Sequence, residues 1–372
     1  MQDLDINAIQ QQVLWASFAL AVLFGAVAQR SHFCTMGAVS DIVNIGDWSR
    51  MRMWALAAGV VMLGFNAMVA LGWVDAAKTA YAAPRLLWLS SIVGGLMFGF
   101  GMVLASGCGS KTLVRIGAGN LKSLFVFFVM GVAAFATLKG ITAVLRVETV
   151  EKVSVTLATG QDLPSLLAAP LGLAKPKAAA WIGGLLGGGL LLWALWKPEG
   201  RSLDNLLGGL GCGAAVAGIW WVSGRLGYVA EDPNTLQEVF VGSSNRDRME
   251  GMSFVAPMAY SIDWLVFFSD KSKVLGLAIV NTLGVVVGAG AWALVTRSFR
   301  WEGFRGVEDT ANHLVGALLM GIGGVVALGC TVGQGLSGLS TLSLGSFIAL
   351  ASIIGGAVLA LRYQTWRVER SI

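Results

Sequence analysis

Long apolar stretches recur along this chain with hardly a charge inside them, notably at 53–74, 87–105, 178–196, 274–296 and 342–361. Each approaches the roughly 20 residues a helix needs to cross about 30 Å of hydrocarbon. Only 13% of the 372 residues are charged and 56% are hydrophobic, whereas a soluble domain carries about a quarter charged residues. The expected fold class is an all-α polytopic membrane protein with about nine transmembrane helices and short re-entrant helices. The 50 glycines suit helices that pack through small side chains.

The net charge of +5 is spread between apolar runs instead of forming one basic stripe, so it sets topology and does not mark a nucleic-acid partner. Nine spans place Arg30, Arg50, Arg52, Lys111, Arg115, Lys122, Arg297–Arg305 and Arg362–Arg370 on the cytoplasmic side, as the positive-inside rule requires. The N-terminus is then periplasmic and the C-terminus cytoplasmic, in a bacterial inner membrane. Met1–Gln12 lacks the basic n-region of a cleaved signal, so the first helix is expected to stay. The long connections 139–177 and 223–273 fall outside, with 148–177 too polar to span.

Laying Val93–Cys108 over Val315–Cys330 without a gap gives nine identities in sixteen positions, including Gly94/Gly316, Gly99/Gly321, Gly101/Gly323, Gly107/Gly329 and Cys108/Cys330. A fainter echo sets Arg30 and Phe33 over Arg225 and Tyr228, with Val229 where Cys34 would be. The expected division is repeat one at 1–147 (four spans), a periplasmic loop and connector span at 148–200, and repeat two at 201–372 (four spans with a re-entrant segment 229–269). Repeats that begin five spans apart run in opposite directions and commonly enclose a pathway between broken helices.

Three of the four cysteines share one local design: Arg30-Ser-His-Phe-Cys34-Thr-Met-Gly37, Ser-Gly107-Cys108-Gly109-Ser-Lys111, and Leu-Gly329-Cys330-Thr331-Val-Gly333. Glycine on either side permits turns and frees backbone amides to face an anion. Irregular backbone at membrane depth needs surrounding protein or water, so these cysteines are expected to line a cavity. A thiol offers a weak donor and a polarisable acceptor, suited to passing a soft sulfur atom. Cys212, in Leu-Gly-Cys-Gly-Ala, has no polar neighbours and reads as an apolar core residue. The pathway expected is Cys34, Cys108, Cys330, Gly107, Gly109, Gly329, Thr331 and Gly333, with Arg30, Lys111 and Arg225 as possible anion attractors. Asn66 and Asn281 read as interhelical hydrogen-bond partners. His32 is not a base for Cys34, since i and i+2 do not face each other on a helix.

These motifs, in this order, resemble the YeeE/YedE family of sulfur-compound transporters. The resemblance implies an hourglass-like fold of two inverted repeats, uptake of thiosulfate, a transient relay along three cysteines, and a small TusA-like cytoplasmic carrier as a partner. The family usually has Gly-Gly-Cys before the second and third cysteines, where this chain has Ser106-Gly107-Cys108 and Leu328-Gly329-Cys330. Sulfite, sulfide or a selenium species stay open as cargo, and a membrane thiol-dependent sulfurtransferase is the competing function. No catalytic residue, metal site or cofactor is expected: the cysteines form no zinc-type cluster, no Walker A motif is present, and an enzyme is not the reading preferred.

Overall fold

The computed structural model describes residues 6–170, 172–233, 235–270 and 272–370. The elements follow the apolar pattern. Helices α1 (Ile6–Arg30), α2 (Thr35–Ile45), α3 (Ser49–Ala70), α4 (Trp88–Leu104), α5 (Gly109–Gly117) and α6 (Leu121–Lys139) come first. A surface excursion follows with α7 (Ile141–Glu148) and α8 (Leu163–Ala168), then α9 (Lys175–Trp196). Finally come α10 (Leu203–Trp221), α11 (Val255–Val266), α12 (Leu277–Val295), α13 (Val307–Val326), a mixed α/π turn at 331–340, and α14 (Leu344–Glu369). Among the described residues eight segments are long and apolar enough to cross a membrane. The ninth long helix, α13, opens on Glu308 and Asp309, which dilutes its apolar character although its second half is buried. The chain is an all-α polytopic membrane protein. Its β-structure among the described residues is two two-stranded ribbons and isolated bridges in the connections.

Packing fixes relative directions. A methyl placed on Gly94 would lie 2.7 Å from the Gly323 carbonyl oxygen, and one on Gly323 equally close to the Gly94 carbonyl. Gly101 and Gly316 repeat the exchange at 2.6 Å each way. As numbers rise along α4 they fall along α13, so the two helices cross antiparallel, backbone against backbone. Because Gly94 matches Gly316 and Gly101 matches Gly323 in the sequence repeat, each contact is the other's counterpart, as a two-fold axis between α4 and α13 would demand. Elsewhere Gly208 meets Met53 and Gly213 meets Ala57, so α3 and α10 run parallel. Gly59 meets Leu191 while Gly183 meets Asn66, so α3 and α9 run antiparallel. These senses agree with nine crossings.

Asn66 behaves as expected, donating to the Ser340 carbonyl at 2.8 Å across helices. Asn281 does not: its Oδ1 is buried without a partner. The excursion after α6 lies over the 331–346 region, where Leu163 N donates to Leu342 O at 3.0 Å and Leu344 N to Gln161 O at 3.0 Å.

The packing makes a direct forecast. Gly99→Ala drives a methyl into the Ile353 carbonyl of α14, and over-packing of this kind costs about 1–3 kcal/mol. Gly184→Ala on α9 meets nothing within 4 Å. Thermal unfolding in detergent should fall clearly for Gly99→Ala and be unchanged or slightly raised for Gly184→Ala.

Candidate functional site

All three cysteines of the shared design sit at helix breaks built the same way. Two residues before each, the chain adopts a left-handed conformation: His32 (φ 53), Ser106 (φ 56) and Leu328 (φ 59). The following amide closes back over the end of the preceding helix, from Phe33 N to Ala28 O, Gly107 N to Met102 O and Gly329 N to Gly324 O, at 3.1, 2.8 and 2.8 Å. This six-to-one closure satisfies last-turn carbonyls. Each cysteine then opens the next helical segment. Cys34 caps α2 and Cys108 caps α5, both in extended backbone, and Cys330 precedes the 331–340 turn. Cys34 Sγ accepts from Gly37 N at 3.4 Å, and Cys330 Sγ from Gly333 N at 3.4 Å. A sulfur thus replaces the usual oxygen cap, and the amides behind it make each cysteine a place where negative charge is welcome.

The breaks converge. The Cys34 and Cys108 thiols are neighbours. Cys108 lies 3.3 Å from Ser110 Oγ and close to the Thr331 hydroxyl. Thr331 Oγ1 is buried with no well-aligned partner. Cys330 follows, 3.9 Å from Ser253 Oγ and near the Phe254 amide. Gly109 begins α5 against the side chains of Phe254 and Val255 at the start of α11. Cys108 and Cys330 are wholly buried, and Cys34 is 9% exposed.

Two cavities flank this row. One, of about 750 Å³, reaches Cys34 and is lined by His32, Arg50, Lys111, Arg115, Lys122, Arg300, Arg305, Glu302 and Asp309 among others. Its carboxylates are already engaged: Glu302 pairs with Lys122 at 3.2 Å, and Asp309 with Lys122 at 3.4 Å. The Lys122 ammonium beside it holds the Glu302 carboxyl below the usual range. Lys111 joins none of the ion pairs of the described residues, and its charge acts on both Cys34 and Cys108. The second cavity, about 230 Å³, lies at the other end of the row and is lined by Tyr81, Arg248, Glu250, Ser253, Tyr260 and Leu328 among others.

The sequence expectations sort as follows. Lys111 lines the larger cavity. Arg30 is turned to Asp204 at 2.6 Å and Arg225 is exposed; neither lines the two flanking cavities. Cys212 packs on α10 within the main core, fully buried. Gly107 and Gly329 spend their amides on helix closure, and Gly333 spends its amide on Cys330. Arg50, Tyr81, Ser253 and Glu250 were not singled out from sequence. By element order, Phe254 at the cap of α11 holds the place that Cys34 holds before α2. The echo on Val229 missed this because the segment 227–254 intervenes. A polar residue just ahead of a short apolar helix was the available signal for Ser253.

A bundle of spanning helices with three buried thiols between two polar cavities defines a multi-pass membrane protein. The chain belongs to the sulphur transport family, whose pattern matches residues 30–359. It is 28% identical over 364 residues to the thiosulfate transporter TsuA of Spirochaeta thermophila, covering 92% of this chain and 97% of that protein. The thiosulfate transporter TsuA of Escherichia coli is 26% identical over 347 residues, 90% of each chain. The probable transporter YedE of Salmonella typhimurium is 28% identical over a shorter 118 residues, 31% of this chain and 27% of that one.

The left-handed residues carry a stability forecast. A non-glycine residue there costs about 1 kcal/mol or more, which Gly avoids at the expense of a looser unfolded chain. Ser106→Gly and Leu328→Gly should each leave thermal stability in detergent equal or raise it by up to about 1 kcal/mol, whereas Ser106→Val should lower it.

Proposed function

We propose that this protein takes up thiosulfate, or a closely similar sulfur-containing anion, by passing it along Cys330, Cys108 and Cys34 between the two cavities. The observation that carries this is the set of three buried cysteines at converging helix breaks, with the unpartnered Thr331 hydroxyl near Cys108 and a cavity on either side. The names of the full-length relatives supply the cargo. Each thiol gives a weak, polarisable contact, and conduction needs sites strong enough to accept and weak enough to release. Thr331 is a buried donor whose alignment a passing anion would complete.

The scaffold for this route is a pair of inverted repeats, 1–147 and 201–372, joined by 148–200, with 229–269 dipping into the second. The reciprocal Gly94–Gly323 and Gly101–Gly316 contacts support that division. The charge pattern supports a cytoplasmic C-terminus and a cytoplasmic opening beside Cys34, where Lys111, Arg50 and Arg115 draw the anion through. A small sulfur carrier of the TusA type is the receiver expected on that side. A sulfurtransferase would want a base set against one thiol; His32 lies in the left-handed turn before Cys34.

Proteoliposomes containing only this protein should accumulate labelled thiosulfate. Ala at Cys34, Cys108 or Cys330 should lower the rate at least tenfold at equal protein content, Ser should rescue partly, and Cys212→Ala should keep most activity. Equal loss at Cys212 would show that burial alone, not the row, explains the effect.

A further inference from the structure

The smaller cavity contains a carboxyl group that an anion route should exclude. Glu250 is half-buried in the segment leading to α11 and lines the cavity that ends at Ser253 and Cys330. It joins none of the ion pairs of the described residues. Its carboxyl oxygens are held in place by Ser244, whose amide donates to one at 2.8 Å and whose hydroxyl donates to the other at 3.3 Å. Its own amide donates to Ser223 Oγ at 2.6 Å. The side chain is therefore fixed at the cavity wall, not a stray surface acid.

The groups around it are few. Tyr81 comes from the connection after α3, Tyr260 from α11, Cys330 from the break after α13, and Arg248 from the same segment. Lys78, whose carbonyl receives the Met249 amide, is committed to Glu238. Arg225, on the turn that carries Ser223, does not line the cavity. An ionised Glu250 would repel an incoming dianion across a cavity of about 230 Å³.

We infer that Glu250 is a proton-binding site of the outer cavity, and that the anion occupies the Cys330 end together with a proton on this carboxyl group. The inference rests on the thiosulfate route proposed above. Burial supports it, pushing the Glu250 carboxyl up despite the two Ser244 donors that favour the charged form. Thiosulfate itself is fully ionised near neutral pH, so the proton must reside on the protein. By linkage, a proton that strengthens anion binding is itself bound when the anion binds.

The test uses the full chain in detergent, with labelled thiosulfate for affinity and a pH-indicator dye in weak buffer for proton release or uptake. The unaltered protein should take up close to one proton per anion bound. Its affinity should fall about tenfold per pH unit above the carboxyl's titration. Glu250→Gln should bind thiosulfate with little dependence on pH and no proton uptake, and Glu250→Asp should restore the slope. The same slope and proton uptake in Glu250→Gln would overturn the assignment, as would binding by the unaltered protein without proton uptake. If Glu250→Gln does not fold, the proton count of the unaltered protein and the Glu250→Asp slope decide. Failure of the unaltered protein to bind or move thiosulfate at any pH would overturn the transport reading and this inference with it.

Discussion

Backbone amides and carbonyls inside a membrane must find partners within the protein, and everything at the centre of this molecule answers to that constraint. Helices α1, α4 and α13 all stop inside the fold. Each is closed by a left-handed residue and a six-to-one hydrogen bond, and a cysteine then opens the next helical segment. Sulfur caps leave amide-rich helix starts that are satisfied weakly instead of fully. A site of that kind can exchange a modest internal contact for one to a passing anion at little cost. The same breaks let α4 and α13 cross at glycine pairs close enough to bring Cys108 and Cys330 into one row.

Charge divides the row's two ends. The wide cavity beside Cys34 is rich in Arg and Lys, with its acids neutralised in pairs around Lys122. The narrow cavity beside Cys330 has tyrosines, Ser253, one arginine and one unpaired carboxyl group. An anion would be held more strongly at the cationic end. Cys212, by contrast, sits in ordinary apolar packing on α10.

Much of this was legible in the sequence. The long helices were set by apolar runs, and α13 is the one diluted by Glu308 and Asp309. Cys108 and Cys330 stand at equivalent positions of the repeat, and the structure puts both of them and Cys34 at helix breaks. Two things were not legible. Ser106 and Leu328 stand where glycine is conformationally natural, and only the positive φ shows why that substitution matters. The residues that complete the narrow cavity, Tyr81, Glu250 and Ser253, lie in irregular connections without periodicity. Their roles depend on tertiary approach, which neither spacing nor hydropathy reports. Arg30 and Arg225 looked alike by repeat position, yet one is held by Asp204 and the other points to the surface.

The central claim is that the anion travels along Cys34, Cys108 and Cys330 and nowhere near Cys212. It is tested most directly by the rate at which a small thiol reagent modifies each cysteine, read by peptide mass spectrometry with and without excess thiosulfate. Thiosulfate should slow modification of Cys34, Cys108 and Cys330 together and leave the slow rate at Cys212 unchanged. Unchanged rates at all three, or equal protection of Cys212, would contradict a cysteine-lined route.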